Sequence, residues 1–163
     1  TTKGVPSTFP NGCHVAEVEI DPDTGVVQII RYNGVNDFGT VVNPMIVAGQ
    51  IHGGVAQGIG QALMECVTYD DSGQPVTGSF LDYALPRAGD IPSMSLSNHP
   101  SPATSNPLGT KGCGEAGCAG SLASIVNAVL DALSDEGVTS IDMPLTSEKV
   151  WRAIQDGRKA KMA

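Results

Sequence analysis

The sequence predicts an α+β fold, two layers in which a mixed β-sheet is covered by packed helices, and three observations carry that expectation. Two β-branched runs, 12–20 and 26–35, flank a short acidic turn. Two longer segments, 44–64 and 117–134, repeat their apolar residues with helical spacing. Strands and helices do not alternate regularly, which sets the chain apart from a doubly wound parallel sheet.

In the acidic turn Asp21-Pro22-Asp23-Thr24-Gly25, proline presets one φ angle and glycine accepts a positive one, so the flanking runs should fold back as a β-hairpin. The acidity superficially suggests calcium. Counting from Asp21, however, Val26 stands where an EF-hand loop requires glycine and Tyr32 where it requires glutamate, which excludes that site.

Asn43-Pro44 is a helix start, a capping side chain followed by proline at the first helical position. Ile46, Val47, Ile51, Val55, Ile59 and Leu63 then carry a helix over 44–64. Glycines at 49, 53, 54, 58 and 60 interrupt it, each costing up to about 1 kcal/mol relative to alanine. Close approach of another backbone or of a ligand would offset that cost.

Strand-like segments return at 66–69 and 76–84 around Asp70-Asp71-Ser72-Gly73, which has hairpin-turn chemistry. Prolines at 86, 92, 100, 102 and 107 break the next stretch, leaving one short strand near 93–98. The helix at 117–134 presents Leu122, Ile125, Val126, Val129, Leu130 and Leu133 on one face. A last helix begins at Thr146, whose hydroxyl can cap it, with Leu145 and Val150 in the two positions of a hydrophobic staple. Trp151 and Ile154 are expected to pack inward. No repeat or linker divides the chain, so residues 1–163 read as one domain.

Composition narrows the function classes. With 40% hydrophobic and 16% charged residues the chain can bury a core, and 20 Gly, 11 Pro and 4% aromatic residues make it loop-rich. A net charge of -8 argues against nucleic acid and against anionic membrane surfaces. No apolar run approaches the roughly 18 to 20 residues of a membrane span, and no secretory leader is expected. Cys13, Cys66, Cys113 and Cys118 lack any Cys-x-x-Cys pair, which disfavours a zinc ribbon or common iron–sulfur spacing and fits a reduced, cytoplasmic chain. Thr1 in place of an initiator Met points to a fragment or a processed chain.

The densest chemistry lies in Gly109-Thr110-Lys111-Gly112-Cys113-Gly114-Glu115-Ala116-Gly117, a glycine loop opening into a helix. Glycines there let backbone N–H groups approach a ligand, and the helix N-terminus adds positive electrostatic character. Gly112, Gly114 and Gly117 match a dinucleotide-binding Gly-x-Gly-x-x-Gly, yet the proline-rich stretch before them is a poor strand. His14, His52 and His99 have neither metal spacing nor a nucleophile partner, and read as packed residues. Cys113 and Cys118 could be activated by the helix terminus or could simply be small buried residues. Glu115 is either a helix-start acid complementing the dipole or a catalytic carboxylate.

Resemblance favours catalysis. Asn43-Pro44-Met45-Ile46, then Gly49-Gln50-Ile51-His52-Gly53-Gly54 with Gln57-Gly58-Ile59-Gly60, and then Lys111-Gly112-Cys113-Gly114-Glu115 stand in family order. They resemble the C-terminal part of the molybdenum-cofactor-binding large subunit of the xanthine dehydrogenase, aldehyde oxidase and aerobic carbon monoxide dehydrogenase family. The resemblance runs through the tail Pro144-Leu145-Thr146-Ser147-Glu148-Lys149-Val150-Trp151 and so covers essentially the whole chain.

That resemblance implies a molybdenum–molybdopterin cofactor, expected in the cytosine dinucleotide form and shared with other parts of the subunit. It also implies that Glu115 would be the general base of an oxidative hydroxylation of an aldehyde, N-heterocycle or carbon monoxide-like substrate. Gln50, Lys111, Gly112, Cys113 and Gly114 would contact the cofactor, with no metal ligand from this chain. The implied partners are the rest of the large subunit and iron–sulfur and flavin subunits or domains that take the electrons. Family subunits are several times longer, so the chain alone is expected to be inactive. The alternatives are a non-catalytic assembly module docking through its glycine-rich helix, and a dinucleotide-binding domain.

Overall fold

The computed structural model describes Gly4 and residues 7–162. Strands β1 (Asn11–Ile20) and β2 (Val27–Asp37) form the expected antiparallel hairpin, paired from Ile20 with Val27 out to Asn11 with Asp37. Asp21 folds the turn by accepting bonds from Asp23 N–H (2.9 Å) and the Thr24 hydroxyl (2.8 Å). Gly25 adopts φ +72°, and a side chain there would strike the carbonyl of Ser147. The turn therefore needs glycine both for its φ and for the helix lying against it.

One residue of bulge between Glu17 and Val18 shifts the register. His14, Ala16, Val18 and Ile20 of β1 and Ile29, Tyr32, Gly34 and Asn36 of β2 are at least half buried, whereas Val15 and Val35 are exposed, as alternation demands. β3 (Met94–Asn98) adds to β2 in parallel, Tyr32 opposite Met94 and Asn36 opposite Asn98, giving a mixed sheet in the order β1-β2-β3. The α+β expectation holds.

The crossover from β2 to β3 carries helix α1 (Pro44–Leu63), capped by Asn43 Oδ1 on the Ile46 N–H at 3.2 Å. Helix α2 (Ala116–Ala132) packs on α1 and on β1. Helix α3 (Ser147–Met162) starts after Thr146, whose hydroxyl accepts from Lys149 N–H at 3.4 Å, and the staple residues Leu145 and Val150 are both buried. One apolar cluster joins Ile29, Tyr32 and Phe38 to Ile51, Val55, Ile59, Ala62 and Ile125. A second joins Val129, Leu133, Val138, Leu145, Val150 and Ile154.

The α1 glycines divide by what they meet. Added Cβ atoms at Gly54 and Gly58 would run into Gly117, Cys118 and Ser121 of α2, and one at Gly117 would lie 2.6 Å from the Ile51 carbonyl. These glycines set the helix–helix distance. Cβ atoms added at Gly49 and Gly53 would meet nothing within 4 Å among the described residues, and both glycines are exposed.

Two expectations fail. Residues 66–69 and 76–84 are not strands: the turn forms, with Asp70 Oδ1 accepting from Ser72 N–H and Gln74 N–H at 2.9 Å, but pairing stops at a single bridge between Tyr69 and Pro75. Proline donates no ladder bond, and a short hairpin with no apolar face to bury is not stable. Tyr83 is held instead by donating to Glu65 at 2.8 Å, leaving Phe80 and Leu81 exposed. Trp151 is 41% exposed rather than inward, because Val150 and Ile154 fill the core and Trp151 lies against Gly25 of the hairpin turn.

Candidate functional site

The glycine loop is held by its neighbours in the fold before it reaches α2. Asn106 pins its start, with Nδ2 donating to the Thr110 carbonyl at 2.9 Å and Oδ1 accepting from Thr110 N–H at 3.1 Å. A seam of backbone bonds follows, Thr40 N–H to the Gly109 carbonyl (3.0 Å) and Lys111 N–H to the Phe38 carbonyl (2.9 Å). Gly39 (φ +58°) and Gly109 (φ +67°) make this seam possible, since a side chain on Gly39 would strike the Gly109 carbonyl. The loop is thereby tied to the segment that leads into α1.

Lys111 commits its ammonium to Asp37 at 2.5 Å, both side chains largely buried at 11% and 14% exposure. Asp37 also accepts from Gly39 N–H (2.9 Å) and Ser101 N–H (2.8 Å). The Lys111 bond, then these amides, hold its carboxyl well below the usual carboxylate range. A depressed folded-state value means the stabilisation is complete above roughly pH 4 and is lost as the pH falls through that lower value. Asp37→Asn is therefore expected to lower the melting temperature at neutral pH and to flatten its fall below about pH 4, as read by melts across that range.

Beyond Lys111, Gly112 and Gly114 are exposed with open space where Cβ atoms would stand, and Cys113 is half buried against the first core cluster. Glu115 occupies the N-cap position of α2 at φ −108°, ψ −9°, yet makes no capping bond. Glu115 is exposed and lines a recess of about 400 Å³, together with His14 and Gly12 of β1, Asn36 of β2 and Gly120 of α2. Gln50 is exposed on α1, next to Ile51, whose carbonyl approaches Gly117. The fold thus brings Gln50 and Glu115 to the same α1–α2 crossing.

His14 is not an isolated packed residue. Burial pushes the Tyr32 phenol up, keeping it protonated, and it donates to His14 Nδ1 at 2.7 Å. With Nδ1 accepting, Nε2–H donates to Asn36 Oδ1 at 3.0 Å. Gly120 leaves the space the imidazole fills, because a side chain there would overlap the ring. Sequence reasoning misses Asp37, Asn36, Tyr32 and Asn106. Only Asn106 has a local signal, a turn-forming amide within the proline-rich stretch.

His52 is exposed on α1 with Nδ1 donating to the Ala48 carbonyl at 2.7 Å, and His99 is exposed in a loop. All four cysteines are free thiols. Among the described residues no group of three His, Cys, Asp or Glu side chains could hold a metal ion, and no helix is long and apolar enough to cross a membrane. β3 ends at Asn98, well ahead of Gly112, so no strand runs into the Gly-x-Gly-x-x-Gly stretch as a dinucleotide site requires.

The family model for the molybdopterin cofactor-binding domain matches residues 1–92. The large subunit of nicotine 6-hydroxylase from Paenarthrobacter nicotinovorans is 44% identical over 147 residues, covering 90% of this chain and 18% of that protein. The fold superimposes on reconstituted CO dehydrogenase from Oligotropha carboxidovorans with a TM-score of 0.89 at 33% identity, over 94% of this chain and 19% of that one. Quinoline 2-oxidoreductase from Pseudomonas putida 86 gives a TM-score of 0.84 at 43% identity, over 88% of this chain and 18% of that one. The chain thus spans just under a fifth of the length of the relatives it matches.

Proposed function

Because this chain belongs to the molybdopterin cofactor-binding domain family, we propose that it forms one wall of a molybdenum cofactor pocket and supplies Glu115 as the general base of an oxidative hydroxylation. The observation that carries this reading is the seam of backbone bonds between 38–40 and 109–111, which ties the start of the Lys111–Glu115 loop to the segment leading into α1, the helix that carries Gln50.

The residues present suit such a group. The open positions of Gly112 and Gly114 leave backbone N–H groups free for a bulky acceptor-rich ligand, and Gln50 offers a donor and an acceptor. Gly49 and Gly53 carry a helix-propensity cost that no contact among the described residues offsets, which fits space occupied from outside them. When bound, a molybdenum–pterin group would supply the redox chemistry at the substrate carbon. Gln50 would hold it by its amide, Gly112, Cys113 and Gly114 by their backbone, and Lys111, its N–H bonded to the Phe38 carbonyl and its ammonium to Asp37, would keep that backbone in place. Glu115 would take up a proton on a carboxylate oxygen.

Turnover belongs to the assembled enzyme, with the rest of the large subunit closing the pocket and iron–sulfur and flavin partners carrying electrons away. The pterin is proposed in its cytosine dinucleotide form, the substrate as an aldehyde, N-heterocycle or carbon monoxide-like molecule, and the site of action as the cytoplasm. Gln50→Leu in the assembled enzyme is expected to lower molybdenum and pterin content roughly two- to tenfold, the worth of a hydrogen bond. Glu115→Gln is expected to keep the content and lose turnover. Unchanged content in the first with unchanged turnover in the second would overturn the reading.

A further inference from the structure

Phe80 and Leu81 are 90% and 93% exposed, more than any other large apolar side chain among the described residues. They are adjacent, and the turn that carries them is firmly held. The Ser79 carbonyl accepts from Asp82 N–H at 3.1 Å and Tyr83 N–H at 2.9 Å, and the Ser79 hydroxyl donates to Asp82 Oδ2 at 2.6 Å. Tyr83 then fastens the turn to the residues just after α1, donating to Glu65 Oε2 at 2.8 Å. Gly60 makes room for this fastening, because a side chain there would strike the Glu65 carboxylate and Pro86. Two large apolar groups left in water forgo the stabilisation of burial, and such a patch marks a contact surface. A turn already fixed loses little freedom on docking.

We propose that Phe80 and Leu81 form an anchor that inserts into an apolar socket on the rest of the large subunit, the part of that polypeptide outside these residues. The inference rests on the reading that the rest of the large subunit closes over this chain. Length favours that occupant: the chain covers 18% and 19% of two relatives it matches, which leaves more than four fifths of such a polypeptide outside it. A socket on the same polypeptide meets the anchor at high effective concentration, an advantage that a separate subunit lacks. The recess of about 490 Å³ lined by residues 80–87 and Asp90 extends the surface, and Leu85 in it is 43% exposed. From 66 to 86 the charged residues are Asp70, Asp71 and Asp82, all exposed, so the rim of the socket should carry Lys or Arg. Residues 76–84 also read as a strand and form none among the described residues, which fits a surface completed from outside.

The test is made on the assembled enzyme. With Phe80 replaced by the photoreactive analogue p-azidophenylalanine, irradiation is expected to join position 80 to a large-subunit peptide from outside residues 1–163, identified by mass spectrometry. A cross-link to an iron–sulfur or flavin subunit, a cross-link to a second copy of this chain, or no cross-link overturns the proposal. Hydroxyl-radical footprinting needs no variant. Side chains removed from water should react about tenfold or more slowly in the unaltered enzyme than in the same enzyme unfolded in urea, and a smaller difference at Phe80 and Leu81 overturns the anchor.

The two levels fail separately. If position 80 joins the rest of the large subunit while Gln50→Leu keeps its cofactor and Glu115→Gln its turnover, the cofactor reading fails and the anchor stands. If those two variants behave as expected and Phe80 and Leu81 react as freely as in the unfolded enzyme, only the anchor fails.

Discussion

Glu115→Gln in the assembled enzyme is expected to lose about 10²- to 10⁴-fold in kcat, the usual contribution of a positioned general base. Glutamine keeps the shape of the side chain and one acceptor oxygen, but its amide cannot take up a proton at working pH. A substrate that does not lean on the carboxylate in the ground state should bind with nearly the same KM. Steady-state kinetics with molybdenum and pterin quantified on the same preparation checks this. Near wild-type turnover would remove the catalytic role.

The structure also separates this loss from a folding defect. Capping residues usually cost about 0.5 to 2 kcal/mol when removed, but Glu115 sits at the N-cap of α2 without making the capping bond. The melting temperature of Glu115→Gln should therefore stay close to that of the unaltered enzyme. A large drop would mean that the carboxylate serves the helix instead.

Gly117→Ala is expected to act in the opposite way, on stability and not directly on chemistry. Its Cβ would stand 2.6 Å from the Ile51 carbonyl, 2.9 Å from the Val55 nitrogen and 3.0 Å from the Gly54 Cα. All three are backbone atoms of α1, so no rotamer change relieves the overlap and the helices must separate. Overpacking of this kind costs about 1 to 3 kcal/mol and occasionally more. Denaturation of the enzyme carrying Gly117→Ala checks it, and a melt matching the unaltered protein would show that the helix crossing has slack enough to take a methyl group.

Gly53→Ala supplies the contrast. Among the described residues nothing lies within 4 Å of the added methyl, and alanine in place of glycine favours a helix by up to about 1 kcal/mol. If the open face of α1 is occupied in the assembled enzyme, the variant should gain nothing there and should lower cofactor loading or assembly. The reading of the chain as a docking module keyed by its glycine-rich helix is narrowed by the same division. Gly54 and Gly58 are already covered by α2, and only Gly49 and Gly53 remain for an outside partner.

The parts of the fold legible in the sequence are those whose cause is local. The Asp21–Gly25 turn, the Asn43-Pro44 start of α1, and the Thr146 cap with its Leu145–Val150 staple each rest on residues a few positions apart, and each forms. The second hairpin fails for a reason that is not local. Its turn chemistry around Asp70 is legible and the turn forms, but whether 66–69 and 76–84 become strands depends on having a neighbour to bury them, and none is there. Trp151 fails similarly, since apolar spacing on α3 marks a face but cannot say that Val150 and Ile154 already fill the core beneath it.

By itself, then, the chain of residues determined the α+β class, the hairpin, the helices, and the motifs that carry the family resemblance, including Glu115, Gln50 and the Lys111–Gly114 run. Only the tertiary structure decided that Lys111 is spent on Asp37, that Gly54 and Gly58 receive α2 while Gly49 and Gly53 stay open, and that His14, Tyr32 and Asn36 form one array beside Glu115. The physical reason is distance along the chain. Capping and turn chemistry act between near neighbours, whereas an ion pair between Asp37 and Lys111, or the backbone seam between 38–40 and 109–111, exists only after folding has brought remote segments into contact.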